Sequence, residues 1–470
     1  MSQPLLTHLR DFPDRLPPML VKELRQGLRA KAFVAVFLIL QGLLGIILLT
    51  ATASQGGNDV GATVSSIIFF FISLVLLIFQ PLRGISALAS EMKANTMEIM
   101  ALTRLSAWRI TFGKWSAIVS QSALMVAAII PYLILRYFLG GMQLFAELLM
   151  LLAIFILSAA LTAMAVGMSA NRSLVLRALF PLALIPLGFS MLGGALFGSG
   201  MNELTEFFSL SSVESREVLA VATFFVGYLG WLSLDFGASM IAPMAENRAT
   251  FRRIVGLALA GVVIALLRPV DDEVQIAVSF LFMLPLILVS LAEPLNVTAP
   301  ILRRFTQRGP LGTLASWIFC PGWASGVLYS FALVALFCGA ALFLGLPGDP
   351  DELAIHIYGA IGGLLFPAVV LLFVKVSNRF AGYLIILASS VILMGFLSIV
   401  ANAMNQEDLL YFFIWLPPVA WPLWAETNNE SSIALISSVL GSLYVLALLV
   451  GAVLATLRLR RSLRSPAAQS

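Results

Sequence analysis

The sequence predicts an all-α membrane protein with about twelve transmembrane helices and both termini in the cytoplasm. Three observations predict it. The first is composition: of 470 residues, 60% are hydrophobic and only 11% charged, whereas soluble domains carry about 25% charged residues. A soluble fold needs a polar skin, so the apolar excess must face lipid. The second is that twelve apolar stretches approach or exceed the roughly 20 residues of a spanning helix. The third is the distribution of Lys and Arg along the chain.

The expected spans are 32–53, 61–81, 112–138, 144–169, 174–196, 218–243, 252–268, 274–292, 323–346, 353–374, 380–401 and 433–457. The seventh is the shortest. With the N-terminus inside and the spans alternating, 25 of the 28 basic residues fall on the cytoplasmic side. Only Arg136, Arg216 and Arg268 fall outside, while the acidic runs 271–273, 348–352 and 406–408 lie outside. One missed helix would invert every assignment after it. About 30 largely polar residues precede the first apolar run, and that run is span-length, so a cleaved signal is not expected despite "TATAS" at 50–54.

Loop lengths suggest a six-plus-six arrangement. In each half a long inner loop follows the second span (82–112 and 293–322), and a long outer segment follows the fifth (197–217 and 402–432). The expected organisation is therefore an arm with an amphipathic elbow (1–31), a six-span unit (32–245), a second six-span unit (246–457) and a basic tail (458–470). The outer segment containing "YFFIWLPPVAWPLW" reads as interfacial or re-entrant. Its aromatics favour the interface and its prolines forbid a long regular helix.

The 82–112 loop carries the most organised polar sequence. Asn95 and Glu98 have the spacing of a capping box, opening a short helix that displays Met97, Ile99, Met100 and Leu102. So short a helix does not persist alone. It packs either on its own protein or into a second one, for which methionine is an adaptable contact. Ser106 is placed to cap the next helix, which carries Trp108, Arg109 and Lys114 into span 3. Before span 1, "LPPMLVKELRQGLRAK" puts Leu20, Leu24 and Leu28 on one helical face. Lys22, Glu23, Arg25, Gln26 and Arg29 occupy the rest, as expected of a helix lying on the inner membrane surface. An ordinary basic anchor predicts the same helix.

Other candidates are sparse. Asp235 is the one acid well inside a span. It reads either as a residue of the transport pathway or as a hydrogen-bonded structural carboxyl. Arg136 and Glu147 flank the turn between spans 3 and 4 and read as a surface pair of little energetic weight. Gly194/Gly198 and Gly359/Gly363 have the spacing of close helix contacts. Cys320 and Cys338 read as buried small hydrophobes. His8 and His356 stand far apart and no HExxH occurs, so no metal site is expected. The sequence shows no nucleic-acid-binding pattern.

Together these features resemble the membrane-spanning permease subunits of type-2 ATP-binding-cassette (ABC) exporters. Such permeases combine a "KEL…R" elbow, two spans and a loop of the form "E…T-x-E…L…(T)P-L-S…I…GK". The matching residues are Lys22, Glu23, Leu24 and Arg29, then Glu91, Thr96, Glu98, Leu102, Thr103, Leu105, Ser106, Ile110, Gly113 and Lys114. Asn95 replaces the usual glycine before Thr96, and Arg104 the usual proline after Thr103. The likeness covers about residues 16–245, and the second half shares only the layout.

The resemblance implies a transport subunit, not an enzyme, in a plasma or inner membrane. Its loop would enter a cleft of a separate ABC ATPase subunit, which binds ATP and Mg. Partner coupling would then fall to Glu91, Asn95, Thr96, Met97, Glu98, Ile99, Met100, Leu102 and Thr103, beside the elbow residues Lys22, Glu23, Leu24, Leu28 and Arg29. No GxxxxGK[ST] occurs, so no ATP-binding loop is expected in this chain. The pore would form from one chain, from a homodimer, or from a pair with a second permease. The alternative is an ion-coupled secondary transporter with twelve spans.

Overall fold

A computed structural model of the chain describes residues 17–53, 59–93, 105–138, 143–171, 177, 193, 200–243, 246–267, 272–295, 297–344, 364–376, 378–404 and 431–464. These residues are helical with short connections and contain no strand. The chain divides into two compact units, Met1–Ala242 and Pro243–Ser470.

In the first unit, α1 (Pro18–Leu28) leads into α2 (Lys31–Ala53). The second apolar run is α3 (Asp59–Ser73), a π-helical turn (Leu74–Phe79) and α4 (Gln80–Gly84), followed by α5 (Ala87–Lys93). Then come α6 (Ala107–Tyr137), α7 (Leu144–Met168), the short α8 (Gly200–Phe208) and α9 (Val213–Ile241). On α2 the buried face is Phe33, Leu40, Leu44 and Leu48, yet Leu38, Ile39, Ile46 and Leu49 stand 62–71% exposed on the other. A helix equally apolar on both faces suits a lipid environment. There, association comes from packing and hydrogen bonds, because lipid is as apolar as leucine.

The π-helical turn has a local cause. Gln80 N–H bonds the Val75 carbonyl five residues back. The next donor in that register would be Pro81, which has no N–H, so Leu76 O loses its partner. Ser158 Oγ on α7 supplies the bond at 2.5 Å. α7 also meets α9 backbone to backbone. A Cβ on Gly237 would lie 2.6 Å from Gly167 Cα, and one on Gly167 would strike the Ser233 carbonyl.

The second unit contains α10 (Arg248–Leu267), α11 (Asp272–Ala292), α12 (Ala299–Thr306), α13 (Gly309–Phe319) and α14 (Trp323–Leu344). It continues with α15 (Leu364–Phe373), α16 (Arg379–Met404) and α17 (Ser431–Arg464). α17 runs straight through the start of the expected basic tail. Its Arg460 turns onto α13, bonding Ser316 Oγ at 2.6 Å with its guanidinium 4.3 Å from the Trp317 ring centre.

Among the described residues nine helices are long and apolar enough to cross a membrane. The expected span 174–196, save 177 and 193, and the first half of 353–374 lie outside the described residues, as do the "YFFIWLPPVAWPLW" segment, both glycine pairs and both histidines.

Candidate functional site

α6 starts at Ser106, whose extended backbone and hydroxyl cap the first turn by accepting the Arg109 N–H at 3.4 Å. Two turns further on, Lys114 is buried on the face of α6 that also carries Ile110, Ala117, Ile118 and Gln121. α1 follows this face. Met19 rests on Gly113, where a Cβ would come within 3.0 Å of its side chain, and a Cβ on Gly27 would strike Gln121. An eight-residue advance on α1 therefore matches an eight-residue advance on α6, so the two helices run alongside in the same direction. The elbow's buried residues are Met19 and Leu24, with Leu28 half-buried, while Lys22, Arg25, Gln26 and Arg29 are exposed.

Glu23 departs from the amphipathic expectation by turning inward. Lys114 Nζ donates to Glu23 Oε1 at 2.9 Å and to Glu91 Oε1 at 3.1 Å. The lysine is 5% exposed and the two carboxylates 17% and 14%. Lys22 approaches Glu91 from the exposed side at 3.7 Å. One buried ammonium thus ties the elbow, the end of the second apolar run and the start of α6. Leu88, Ile110, Ile118, Val166 and Leu234 pack around this knot.

Next to the knot lies a cavity of about 250 Å³, bordered by α1, the 83–91 stretch and α6. Arg83 reaches into it, bonded through Nη1 to Gln80 Oε1 at 3.1 Å and to Gln121 Oε1. The guanidinium sits 5.5 Å from the Phe33 ring centre.

Glu91 and the elbow residues are in or beside the knot. Asn95, Thr96, Met97, Glu98, Ile99, Met100, Leu102 and Thr103 lie outside the described residues. Asp235 is fully enclosed on α9, two residues before Gly237, and does not border the cavity. Arg136 and Glu147 are not a surface pair. They are 1% and 2% exposed, meet at 2.6 Å, and Ser65 on α3 donates to both Glu147 oxygens at 3.2 Å. Packing of α3 over the hairpin, invisible in local sequence, removes this pair from solvent.

A second buried ion cluster escaped sequence reasoning. In the second unit Arg252 and Arg253 both bind Glu293, the latter at 2.6 Å. Arg253 also donates to the carbonyls of Ile318, Cys320 and Gly322 and to Ser325 Oγ, while the Gly322 N–H donates to Glu293 at 3.2 Å. Burial alone would push the Glu293 carboxyl up. Arg253 and Arg252 outweigh it and hold the group below its ordinary range. Burial pushes the nearby Cys320 thiol up to about 11, which keeps it protonated and unreactive. The available signal was an acid directly after an apolar run, with two arginines opening the preceding one.

Among the described residues no group of three or more His, Cys, Asp or Glu is placed to hold a metal ion. No family model, curated protein or solved structure matches the chain. The residues described make it an all-helical chain whose nine long apolar helices are those of a multi-pass membrane protein.

Proposed function

We propose that the chain is the permease subunit of an ATP-driven exporter, forming the path across the membrane and driven through its 90–114 loop by a separate ATPase. The observation that carries this reading is the Lys114 knot. The resemblance singles out Glu23, Glu91 and Lys114 from segments up to 91 residues apart, and these three side chains meet. A loop can transmit a push only if its base is stiff. A buried lysine shared by two carboxylates, braced by Met19 on Gly113, makes the two feet of 94–104 and the elbow move as one body.

Further support comes from the second unit. There Glu293, directly after α11, binds the Gly322 N–H just before α14, as Glu91 at the end of α5 binds Lys114 on α6. A duplicated six-span unit would leave this parallel, with the basic loops in the cytoplasm. The Thr-x-Glu pattern of the first loop is absent from 293–322, which favours two chains, each offering one coupling loop. The membrane would be the plasma or inner membrane, with ATP and Mg held by the partner.

The test replaces 97–102 by a Gly/Ser linker in the full chain. The proposal expects the protein to remain folded in the membrane and to lose its ATPase partner. Retained association and unchanged ATP-dependent export would refute it.

A further inference from the structure

Among the described residues, the cavity beside the knot holds a cation, Arg83, without an acidic partner. Two carboxylates border it, Glu23 and Glu91, and both are engaged by Lys114, with Lys22 near Glu91. Those two lysines offset the two acids. Among the described residues that border the cavity Arg83 is the remaining charge, and it meets the neutral amides of Gln80 and Gln121 and the Phe33 ring. Only Nη1 is used, so Nε and Nη2 keep their donors. Arg83 lines the cavity with these two nitrogens uncommitted. The exposed side chains of Ser86 and Gln26 add a hydroxyl and an amide on the same wall.

A half-buried guanidinium with uncommitted donors at a cavity can take an anionic acceptor there. Its planar fork fits phosphate oxygens in a bidentate manner. The cavity's position matches such an acceptor. It is bordered by α1, an amphipathic helix of the kind that lies at headgroup depth. We infer that this cavity is a phosphate-group site in which Arg83, with Gln26 and Ser86, binds either a phospholipid headgroup or a free phosphate anion. A bound phosphate there would rest against Glu23 and Glu91 and so bias the knot itself, independently of what drives the loop.

The experiment uses the full chain in detergent and follows binding by native mass spectrometry, with phosphatidylglycerol, phosphatidylcholine and inorganic phosphate as separate probes. Arg83→Gln should weaken binding of at least one phosphate-bearing probe about tenfold. Lys31→Gln, at an exposed position outside the cavity, should leave it unchanged. Loss confined to a phospholipid identifies a lipid site, and loss with inorganic phosphate a free-anion site. Ser86→Leu keeps Arg83 but fills the cavity from its rim, and should produce the same loss even where Arg83→Gln fails to fold. Equal affinities in wild type, Arg83→Gln and Ser86→Leu, or equal weakening in Lys31→Gln, would overturn the inference.

Discussion

Lys114 shows how a single side chain sets local energetics. It is nearly buried and neutralised by carboxylates from two other segments. Removing it leaves two partly buried acids facing each other, which typically costs about 3–5 kcal/mol. Lys114→Met should therefore lower the thermal midpoint in detergent by several degrees, and a Lys114/Glu23 double-mutant cycle should return a coupling of roughly 0.5–3 kcal/mol. A coupling of zero would mean the knot is incidental. Ser158 offers a neutral counterpart. Ser158→Ala orphans the Leu76 carbonyl and should cost about 1–3 kcal/mol, read as a shift in the unfolding midpoint, whereas Ser158→Thr should retain the bond. Glu293 gives the pH prediction. Its folded pKa lies below the unfolded value of about 4.3. Its contribution is therefore complete above that value and lost as pH falls through the folded pKa. The thermal midpoint should be flat in this respect from pH 7 to 5 and fall below about pH 4. Glu293→Gln should be less stable at pH 7 and show a shallower acid slope.

At the scale of elements, close helix approach is decided by a few small residues. Gly167 and Gly237 let α7 and α9 touch through their backbones. Gly167→Ala should destabilise by about 1–3 kcal/mol through overpacking. Gly227→Ala on the same α9, where a Cβ meets nothing within 4 Å, should be neutral or stabilising by up to about 1 kcal/mol. Equal effects at the two positions would argue against the close contact. The helices themselves were legible: the run expected at 32–53 is Lys31–Ala53, and that at 144–169 is Leu144–Met168. An apolar run of span length is a local property, so sequence carries it. The Ser106 cap was legible for the same reason. Glu23 was not. A helical wheel assigns every charge to solvent, and only the arrival of Lys114 from 91 residues away turns this one inward. The Arg136–Glu147 pair was misjudged likewise, because its burial depends on Ser65 and α3.

At the scale of the whole molecule, large apolar side chains stand exposed along the long helices, and among the described residues buried charges form paired clusters around Lys114, Glu147 and Glu293. This division suits a body held in lipid that receives its driving force at its polar edge. On the proposed function, that force comes from another chain. The most direct measurement is affinity purification of the full chain from its own membranes, wild type beside the 97–102 linker variant, with ATP hydrolysis assayed in each eluate. An ATPase subunit and ATP hydrolysis should accompany the wild type, and neither should accompany the variant. Purified wild-type chain that brings no ATPase, yet moves cargo in vesicles on an ion gradient alone, would contradict the proposed function.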